Sequence, residues 1–432
     1  MSRPQLAEFM RRMEPNSVAI LPGARETTRS HDTEYRFRQD SDFYYVTGFH
    51  EPDAIAVIAP AHEDQRFTLF VRPRDPEKEV WTGRRAGVEG AKERFGADAA
   101  FPVEEFGEKL TDLINGSRHL YYRLGNGQPE LDRTLIDQIA RMRMMGRRGV
   151  HPPQAIIDPG TILHEMRLFK TGEEIALMQR AADIAAEAHR EAMKQARAGM
   201  KEYEIEALIE YVFRRSGAAA PAYTSIVGGG ANATILHYVD NSAELRDGDL
   251  LLVDAGAEYE GYASDITRTF PVNGRFTEAQ RDIYGLVLEA QERCIEMAAP
   301  GVTLDEMHQR SVEILTEGMV RLGLLEGDPA KLIEEGKYKQ FYMHRLGHYL
   351  GLDVHDAGRY QTDGEPRPVE AGMVMTFEPG LYVAEDAEGV PDKYRGIGVR
   401  IEDDVLITPE GSRVLTDKVP KRIEEIEQLM AR

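Results

Sequence analysis

The most informative segment of the sequence joins an apolar run to two aspartates. It reads Leu250-Leu251-Leu252-Val253-Asp254-Ala255-Gly256, followed after a turn by Gly261-Tyr262-Ala263-Ser264-Asp265-Ile266-Thr267-Arg268. Both runs are strand-like, so we expect a hairpin. If the hairpin centres between residues 259 and 260, Asp254 and Asp265 lie opposite each other, with Cβ atoms about 4.5–5.5 Å apart. Two carboxylates without a cation would repel each other there, and a bound cation would remove that repulsion. The alternative interpretation is that one aspartate is a cap residue and the other a surface charge.

A second group consists of histidines on a glycine-rich stretch. His344, His348 and His355 fall within twelve residues of each other. The first two have the i,i+4 spacing of helical metal ligands, although Gly347 and Gly351 argue against a continuous helix. The stretch lacks the glutamate of the HExxH motif, which argues against a zincin. One such histidine would be read as structural, but three together indicate a site.

Two further acids lie in or beside apolar strands. Glu378 closes the run Val374 to Phe377 before a Pro-Gly turn, and Arg400 and Glu402 lie two residues apart on one predicted face. A plain ion pair is the alternative for Arg400 and Glu402. Four carboxylates and one histidine match two divalent cations, and oxygen-rich ligands suit manganese, magnesium or cobalt. Two such cations activate water, so the pattern points to hydrolysis.

With these residues in place, the sequence resembles the Xaa-Pro aminopeptidases, which share the pita-bread catalytic fold with methionine aminopeptidase, prolidase and creatinase. The stretches 341–356 and 40–49 are similar to that family as well. The resemblance implies two divalent metal ions, most often Mn²⁺, with Co²⁺, Zn²⁺ or Mg²⁺ as alternatives. Its five metal ligands correspond to Asp254, Asp265, His348, Glu378 and Glu402. By the resemblance, the second aspartate and the last glutamate bridge the metals, and a hydroxide between the metals attacks the scissile carbonyl.

The resemblance also implies roles around the metals. Glu378 would accept and pass a proton, His237 would contact the substrate near the scissile amide, and His355 would stabilise the tetrahedral intermediate. The residues implied in the proline pocket are His344, Tyr382 and Arg400. Trp81, the only tryptophan, is either a core residue or the aromatic that approaches a neighbouring subunit's site. Because the resemblance implies such a neighbouring subunit, we expect a homo-oligomer, either a dimer or a tetramer.

Three functions are therefore open. The first is an aminopeptidase that cleaves the bond before proline in peptides with proline in second position. The second is a prolidase restricted to Xaa-Pro dipeptides. The third is a metal-free pita-bread domain that binds peptides without catalysis, against which the intact ligand set argues.

Composition bounds the remaining possibilities. The 432 residues carry 53 basic and 74 acidic side chains, a formal charge of −21, which argues against a nucleic-acid partner. Cys294 is the only cysteine, so no internal disulfide forms and a reducing compartment fits. The N-terminus lacks the features of a secretory signal, and no apolar run is long enough for a membrane span. We expect a cytoplasmic protein without a membrane partner.

The organisation of the chain predicts an α+β domain, residues 169–432, after a smaller α/β domain, residues 1–168. The resemblance implies that the smaller domain is an aminopeptidase P-type N-terminal domain and that the C-terminal domain has the pita-bread fold. A breaker-rich stretch at 149–160 reads as a linker. The glycines at 228–230 are a flexible turn rather than a phosphate loop, because no Gly-Lys-Ser/Thr follows. The predicted strands are 17–21, 43–46, 54–58, 67–71, 250–254, 374–377 and 399–407, and the predicted helices are 90–94, 131–143, 172–197, 204–213 and 279–297.

Overall fold

The chain forms two units in a computed structural model that describes residues 3–431. Unit 1 is Met1–Arg167 and unit 2 is Leu168–Arg432. The helices of unit 1 are α1 (Pro4–Arg12), α2 (Ser41–Thr47), α3 (Pro76–Thr82), α4 (Gly87–Glu93), α5 (Phe106–Ile114) and α6 (Pro129–Met144), and α7 (Gly160–Leu168) ends one residue beyond it. The strands of unit 1 are β1 (Ser17–Pro22), β2 (Thr28–Ser30), β3 (Thr33–Glu34), β4 (Ile55–Ile58), β5 (Phe67–Val71), β6 (Ala99–Pro102), β7 (His119–Tyr121) and β8 (Ala155–Ile157).

Unit 1 is built on a mixed six-stranded sheet. The strand order is β6-β5-β4-β1-β7-β8, with β4 antiparallel to both of its neighbours and the other pairs parallel. Alternate side chains of β1 enter different cores, Val18 and Ile20 on one face and Ala19 and Leu21 on the other. A sheet buried on both faces by helices is the α/β arrangement that the alternating elements predict.

Two predictions for this unit are wrong. Residues 43–46 are helical, because Asp40 caps α2 by accepting a hydrogen bond from the Phe43 amide at 2.8 Å. Gly48, with φ of 61°, then ends the helix in the left-handed region. The stretch 149–160 is not simply a linker either, since β8 lies within it and extends the sheet beside β7.

Unit 2 contains the remaining elements. Its helices are α8 (Gly172–Gln195), α9 (Glu202–Arg215), α10 (Glu278–Met297), α11 (Leu304–Arg321), α12 (Pro329–Glu334) and α13 (Ile423–Met430). Its strands are β9 (Ala220–Pro221), β10 (Ile226–Gly229), β11 (Leu250–Asp254), β12 (Ala257–Tyr259), β13 (Tyr262–Ala263), β14 (Thr267–Pro271), β15 (Gln361–Thr362), β16 (Glu365–Pro366), β17 (Val374–Phe377), β18 (Gly380–Val383), β19 (Ile397–Arg400), β20 (Asp403–Thr408) and β21 (Gly411–Val414).

Antiparallel pairs dominate unit 2, which confirms the α+β prediction. The orders of its three-stranded sheets are β10-β11-β14, β13-β12-β9 and β17-β20-β21. Three of its helices, α8, α10 and α11, begin with capping boxes at Thr171, Thr277 and Thr303. Apolar faces of α8 to α11 join β11 and β19 in one large core, so the sheets that carry the predicted site residues have rigid support. Across residues 3–431, no helix is both long and apolar enough to cross a bilayer.

Candidate active site

A cavity of about 940 Å³ in unit 2 gathers most of the predicted site residues. The predicted residues that line it are His237, Asp254, Asp265, His344, His348, His355, Glu378, Arg400 and Glu402. Tyr382 lies behind this lining, hydrogen-bonded to Arg400 and His344. Trp81 belongs to unit 1, where it lies on α3 with its side chain 87 % exposed, so the core alternative for this tryptophan is wrong.

The two aspartates meet, but not through the predicted hairpin register. Asp254 pairs with Thr267 in the β11–β14 ladder, not with Asp265. The reason is the turn between β12 and β13, which centres on Glu260 and Gly261, both with positive φ. Asp265 lies in the gap between β13 and β14, where the chain continues from one sheet to the other.

Tyr223 joins the two aspartates. Its Oη lies 2.6 Å from Asp254 Oδ1 and 2.5 Å from Asp265 Oδ1. A phenol has one proton to donate, so it satisfies one of these carboxylates at a time. Burial and the two negative charges raise the pKa of Tyr223 well above its usual value, so the hydroxyl stays protonated. The remaining oxygens, Asp254 Oδ2 and Asp265 Oδ2, point away from the tyrosine, toward Arg400 and His348 respectively.

His348 presents one defined nitrogen to the acids. Its Nδ1 donates to the Tyr349 carbonyl at 3.0 Å, so Nε2 faces Asp265 at 3.5 Å and Glu378 at 3.6 Å. A backbone acceptor on the other ring nitrogen is the usual support of a metal-bound histidine. Ligand atoms of Asp265, His348 and Glu402 lie within 4.8 Å of one another. The donor set of carboxylates and one imidazole therefore fits a divalent cation.

Strand β17 aligns the histidine with Glu378. The Thr376 amide donates to the His348 carbonyl at 2.9 Å, and the His348 amide donates to Thr376 Oγ1 at 3.1 Å. The same hydroxyl lies 3.5 Å from Glu378 Oε1. A Cβ atom at Gly347 would lie 1.9 Å from Thr376 O, so only glycine allows the chain to pass this close. The i,i+4 histidines are accordingly on an extended loop, as the glycines indicate.

Glu402 is held at a break between two strands. The predicted strand 399–407 is divided into β19 and β20, and Glu402 occupies the gap. Glu402 Oε2 accepts from Thr267 Oγ1 at 2.6 Å, and the Glu402 carbonyl accepts from Arg268 Nη1 at 2.5 Å. Arg268 is fully buried and pairs with Asp403 at 2.7 Å. The buried Arg268–Asp403 ion pair therefore holds together the starts of β14 and β20, beside Asp265 and Glu402.

A chain of hydrogen bonds runs from Asp254 to His344. Arg400 donates from Nη2 to Asp254 Oδ2 at 2.6 Å and from Nη1 to Tyr382 Oη at 3.0 Å. His344 Nδ1 lies 2.8 Å from the Arg345 carbonyl, which assigns the proton to Nδ1. Tyr382 therefore donates to His344 Nε2, 2.8 Å away. Burial and the Arg400 charge lower the pKa of His344 to about 4, so this histidine is neutral.

Burial and charge shift the titration of the two groups on the other side of the cavity. Burial raises the pKa of Glu378 to about 7, against the opposing effect of the His348 and Arg400 charges. Burial lowers the pKa of His348, but the hydrogen bond and charge of Asp265 outweigh it and raise the pKa to about 9. Without a cation, His348 therefore carries a proton on the nitrogen that faces the acids. A cation that binds here must displace that proton.

The outer histidines, His355 and His237, flank this cluster. The His355 ring is 4.3 Å from the His348 ring, in an edge-to-face arrangement. Burial and the His348 charge lower the pKa of His355. His237 lines the cavity on the loop that follows β10. Sequence reasoning missed Tyr223, because it lies in no motif with the aspartates that it contacts. It also missed Thr376, which lies in the same segment as Glu378 but gives no signal of its own.

An α+β domain whose cavity gathers carboxylates around one imidazole defines a metal-dependent hydrolase of the pita-bread class. The chain belongs to metallopeptidase family M24, whose sequence model matches residues 176–409. A model of the aminopeptidase P N-terminal domain matches residues 4–121.

Individual proteins match over the full length. The chain is 47 % identical to Xaa-Pro aminopeptidase of Escherichia coli strain K12 over 438 residues, which covers 100 % of this chain and 99 % of that protein. The structure of Pseudomonas aeruginosa aminopeptidase PepP superposes with a TM-score of 0.97 at 51 % identity, covering 99 % of this chain and 96 % of that one. Aminopeptidase P from E. coli with the inhibitor Pro-Leu gives a TM-score of 0.95 at 46 % identity, with coverages of 100 % and 98 %.

Proposed function

We propose that the protein is a metal-dependent aminopeptidase that hydrolyses the bond between an N-terminal residue and a following proline. The observation that supports this most directly is the cavity, where the side chains that correspond to the family's ligands converge. The full-length similarity to Xaa-Pro aminopeptidases supports the same substrate class, as does the Pro-Leu inhibitor bound to the E. coli enzyme. Prolidase activity on dipeptides is the second candidate.

The proposed site holds two divalent cations, with Mn²⁺ as the preferred metal. The ligands are Asp254, Asp265, His348, Glu378 and Glu402. Asp265 and Glu402 would be the two ligands shared between the ions, and the convergence of their carboxylate oxygens with His348 supports this assignment. Bound divalent cations supply Lewis acidity toward the scissile carbonyl and lower the pKa of water.

The protein's own groups provide the proton transfer and the orientation of the substrate. Glu378, which lines the cavity 3.6 Å from His348 Nε2, is placed to accept a proton from the attacking water and pass it on. His237 contacts the substrate near the scissile amide. His355 donates a hydrogen bond to the charge that develops on the carbonyl oxygen.

The proline ring lies against the chain of Arg400, Tyr382 and His344. The arginine fixes Asp254 and Tyr382 together, and the neutral histidine offers an uncharged surface to the imino-acid ring. Residues 1–168 form the added domain and 169–432 the catalytic domain. The exposed Trp81 reaches a neighbouring subunit in a homo-oligomer, dimer or tetramer, and the protein acts in the cytoplasm without a nucleic-acid partner.

Two assays test this function. Metal content is measured by mass spectrometry, and turnover is compared between an Xaa-Pro-Xaa tripeptide and the matching Xaa-Pro dipeptide, with and without added Mn²⁺. Release of the first residue from the tripeptide is the expected result. Cleavage of the dipeptide alone would establish a prolidase instead, and a protein with neither bound divalent ion nor metal-stimulated hydrolysis would be a peptide binder.

A further inference from the structure

Glu202 is an acid buried far from the candidate metal ligands in sequence. It is the first residue of α9, and its exposure is 0 %, which is rare for a glutamate. Within residues 3–431, its side chain has four hydrogen-bond partners, all of them neutral donors. Burial of a carboxylate without a basic partner costs free energy unless hydrogen bonds satisfy its lone pairs. The four donors supply those hydrogen bonds.

The four donors all come from one loop, residues 229–243. Oε1 accepts from the Gly229 amide at 2.8 Å and from Asn232 Nδ2 at 3.0 Å. Oε2 accepts from Tyr238 Oη and from the Ala243 amide, each at 2.8 Å. The contacts lie at the start, the middle and the end of the loop. One carboxylate therefore fixes the path of the whole segment.

This loop faces the cavity. Leu236, His237 and Val239 all line it, and the side chain of Val239 is 49 % exposed. Tyr238, which donates to Glu202, is the direct neighbour of His237. A hydrogen bond on one side of the chain thus sets the position of the histidine on the other side.

We infer that Glu202 is a positioning residue that holds the 229–243 loop in the conformation that binds substrate. An ionised carboxylate is an acceptor only, with sites for about four hydrogen bonds, which matches the four donors. An amide of the same shape would keep one accepting oxygen and turn an NH₂ group toward two donors. The inference rests on the proposed function for its substrate, but the loop geometry is independent of it.

The test compares Glu202→Gln with Glu204→Gln. Glu204 lies two residues further along the same helix, is exposed, and accepts from the Lys201 amide at 2.7 Å. For an Xaa-Pro-Xaa tripeptide, Glu202→Gln is expected to raise KM about tenfold with kcat and metal content within about twofold of wild type, the pattern of lost uniform binding. Hydrogen exchange of the amides in 229–243 is expected to accelerate, with no change elsewhere in unit 2. Glu204→Gln is expected to match wild type in all of these.

If Glu202→Gln does not fold, Tyr238→Phe replaces it as the test variant. The Tyr238→Phe change removes one hydrogen-bond donor and leaves the Glu202 carboxylate in place. It is expected to shift KM and loop exchange in the same direction by a smaller factor. Unchanged KM together with unchanged exchange in 229–243 would overturn the inference, as would an equal effect of Glu204→Gln. A wild-type protein without turnover would contradict the proposed function instead, and the exchange measurement alone would then decide the role of Glu202.

Discussion

The buried ion pair between Arg268 and Asp403 is the most testable element of the site's support. Asp403 is fully buried and accepts four hydrogen bonds, each at 2.7 Å. Their donors are Arg268, Thr416, Gln291 and Lys421. In Asp403→Asn, one oxygen becomes an NH₂ group that faces two of these donors, and Arg268 loses its buried counter-charge. Removal of one partner from a buried pair costs about 3–5 kcal/mol, so we expect the free energy of unfolding to fall by that amount.

The next residue along the strand provides a matched control. Asp404 is also buried, but within residues 3–431 its carboxylate accepts a single amide, that of Asp265, at 3.1 and 3.2 Å from its two oxygens. An asparagine can keep that hydrogen bond, so Asp404→Asn is expected to change the unfolding free energy by less than about 1 kcal/mol. Equal losses in the two variants would refute the assignment of the arginine pair as the stabilising contact.

The assay is urea unfolding in EDTA, followed by hydrogen exchange of peptides from β14 and β20. Tryptophan fluorescence is unsuitable, because the only tryptophan, Trp81, lies in unit 1. Burial raises the pKa of Asp403, but the Arg268 and Lys421 charges outweigh it and hold the pKa well below its usual range. The contribution is therefore present above pH ~4, the usual pKa of an unfolded aspartate, and is lost as the pH falls through the lowered value. The gap between wild type and Asp403→Asn should persist from pH 7 to pH ~4 and close only below it.

Three further predictions concern the metal centre itself. Asp265→Asn should lose bound metal and activity while circular dichroism remains unchanged; full turnover would contradict the bridging role. Metal affinity, measured by calorimetry, should weaken at least about tenfold for each pH unit below 8, because a cation displaces the proton of His348, whose pKa is about 9; a flat profile would exclude that exchange. Thr376→Val should weaken metal binding about tenfold or more, and Thr376→Ser should restore it. Thr316→Val is the control, because the Thr316 hydroxyl is fully buried and has no partner in residues 3–431. It should leave metal binding unchanged.

Local apolar pattern predicted several strands well. The strands 67–71, 250–254 and 374–377 have the bounds that the sequence indicates, because short apolar runs between turn residues leave little freedom. The strand predicted at residues 43–46 is wrong, because the aromatic run has strand character while the Asp40 cap stabilises a helix. The predicted hairpin register differs from the observed one by two residues, because the position of a turn depends on which residues adopt positive φ.

The candidate site was predictable only where its residues lie in recognisable segments. Asp254, His348 and Glu402 each lie in such a segment, and the structure brings them to one cavity. Tyr223 and Glu202 could not be found in this way. Their partners lie 27 to 42 residues away along the chain, so only the folded loops bring them into contact.

The hydrogen bond from His348 to the Tyr349 carbonyl prepares the ring for a metal ion. The ring is already turned so that Nε2 points at the acids, and the backbone acceptor on Nδ1 supports that orientation. An arriving cation meets an imidazole that need not rotate. Metal binding at this histidine therefore requires the loss of the Nε2 proton but no rotation of the ring.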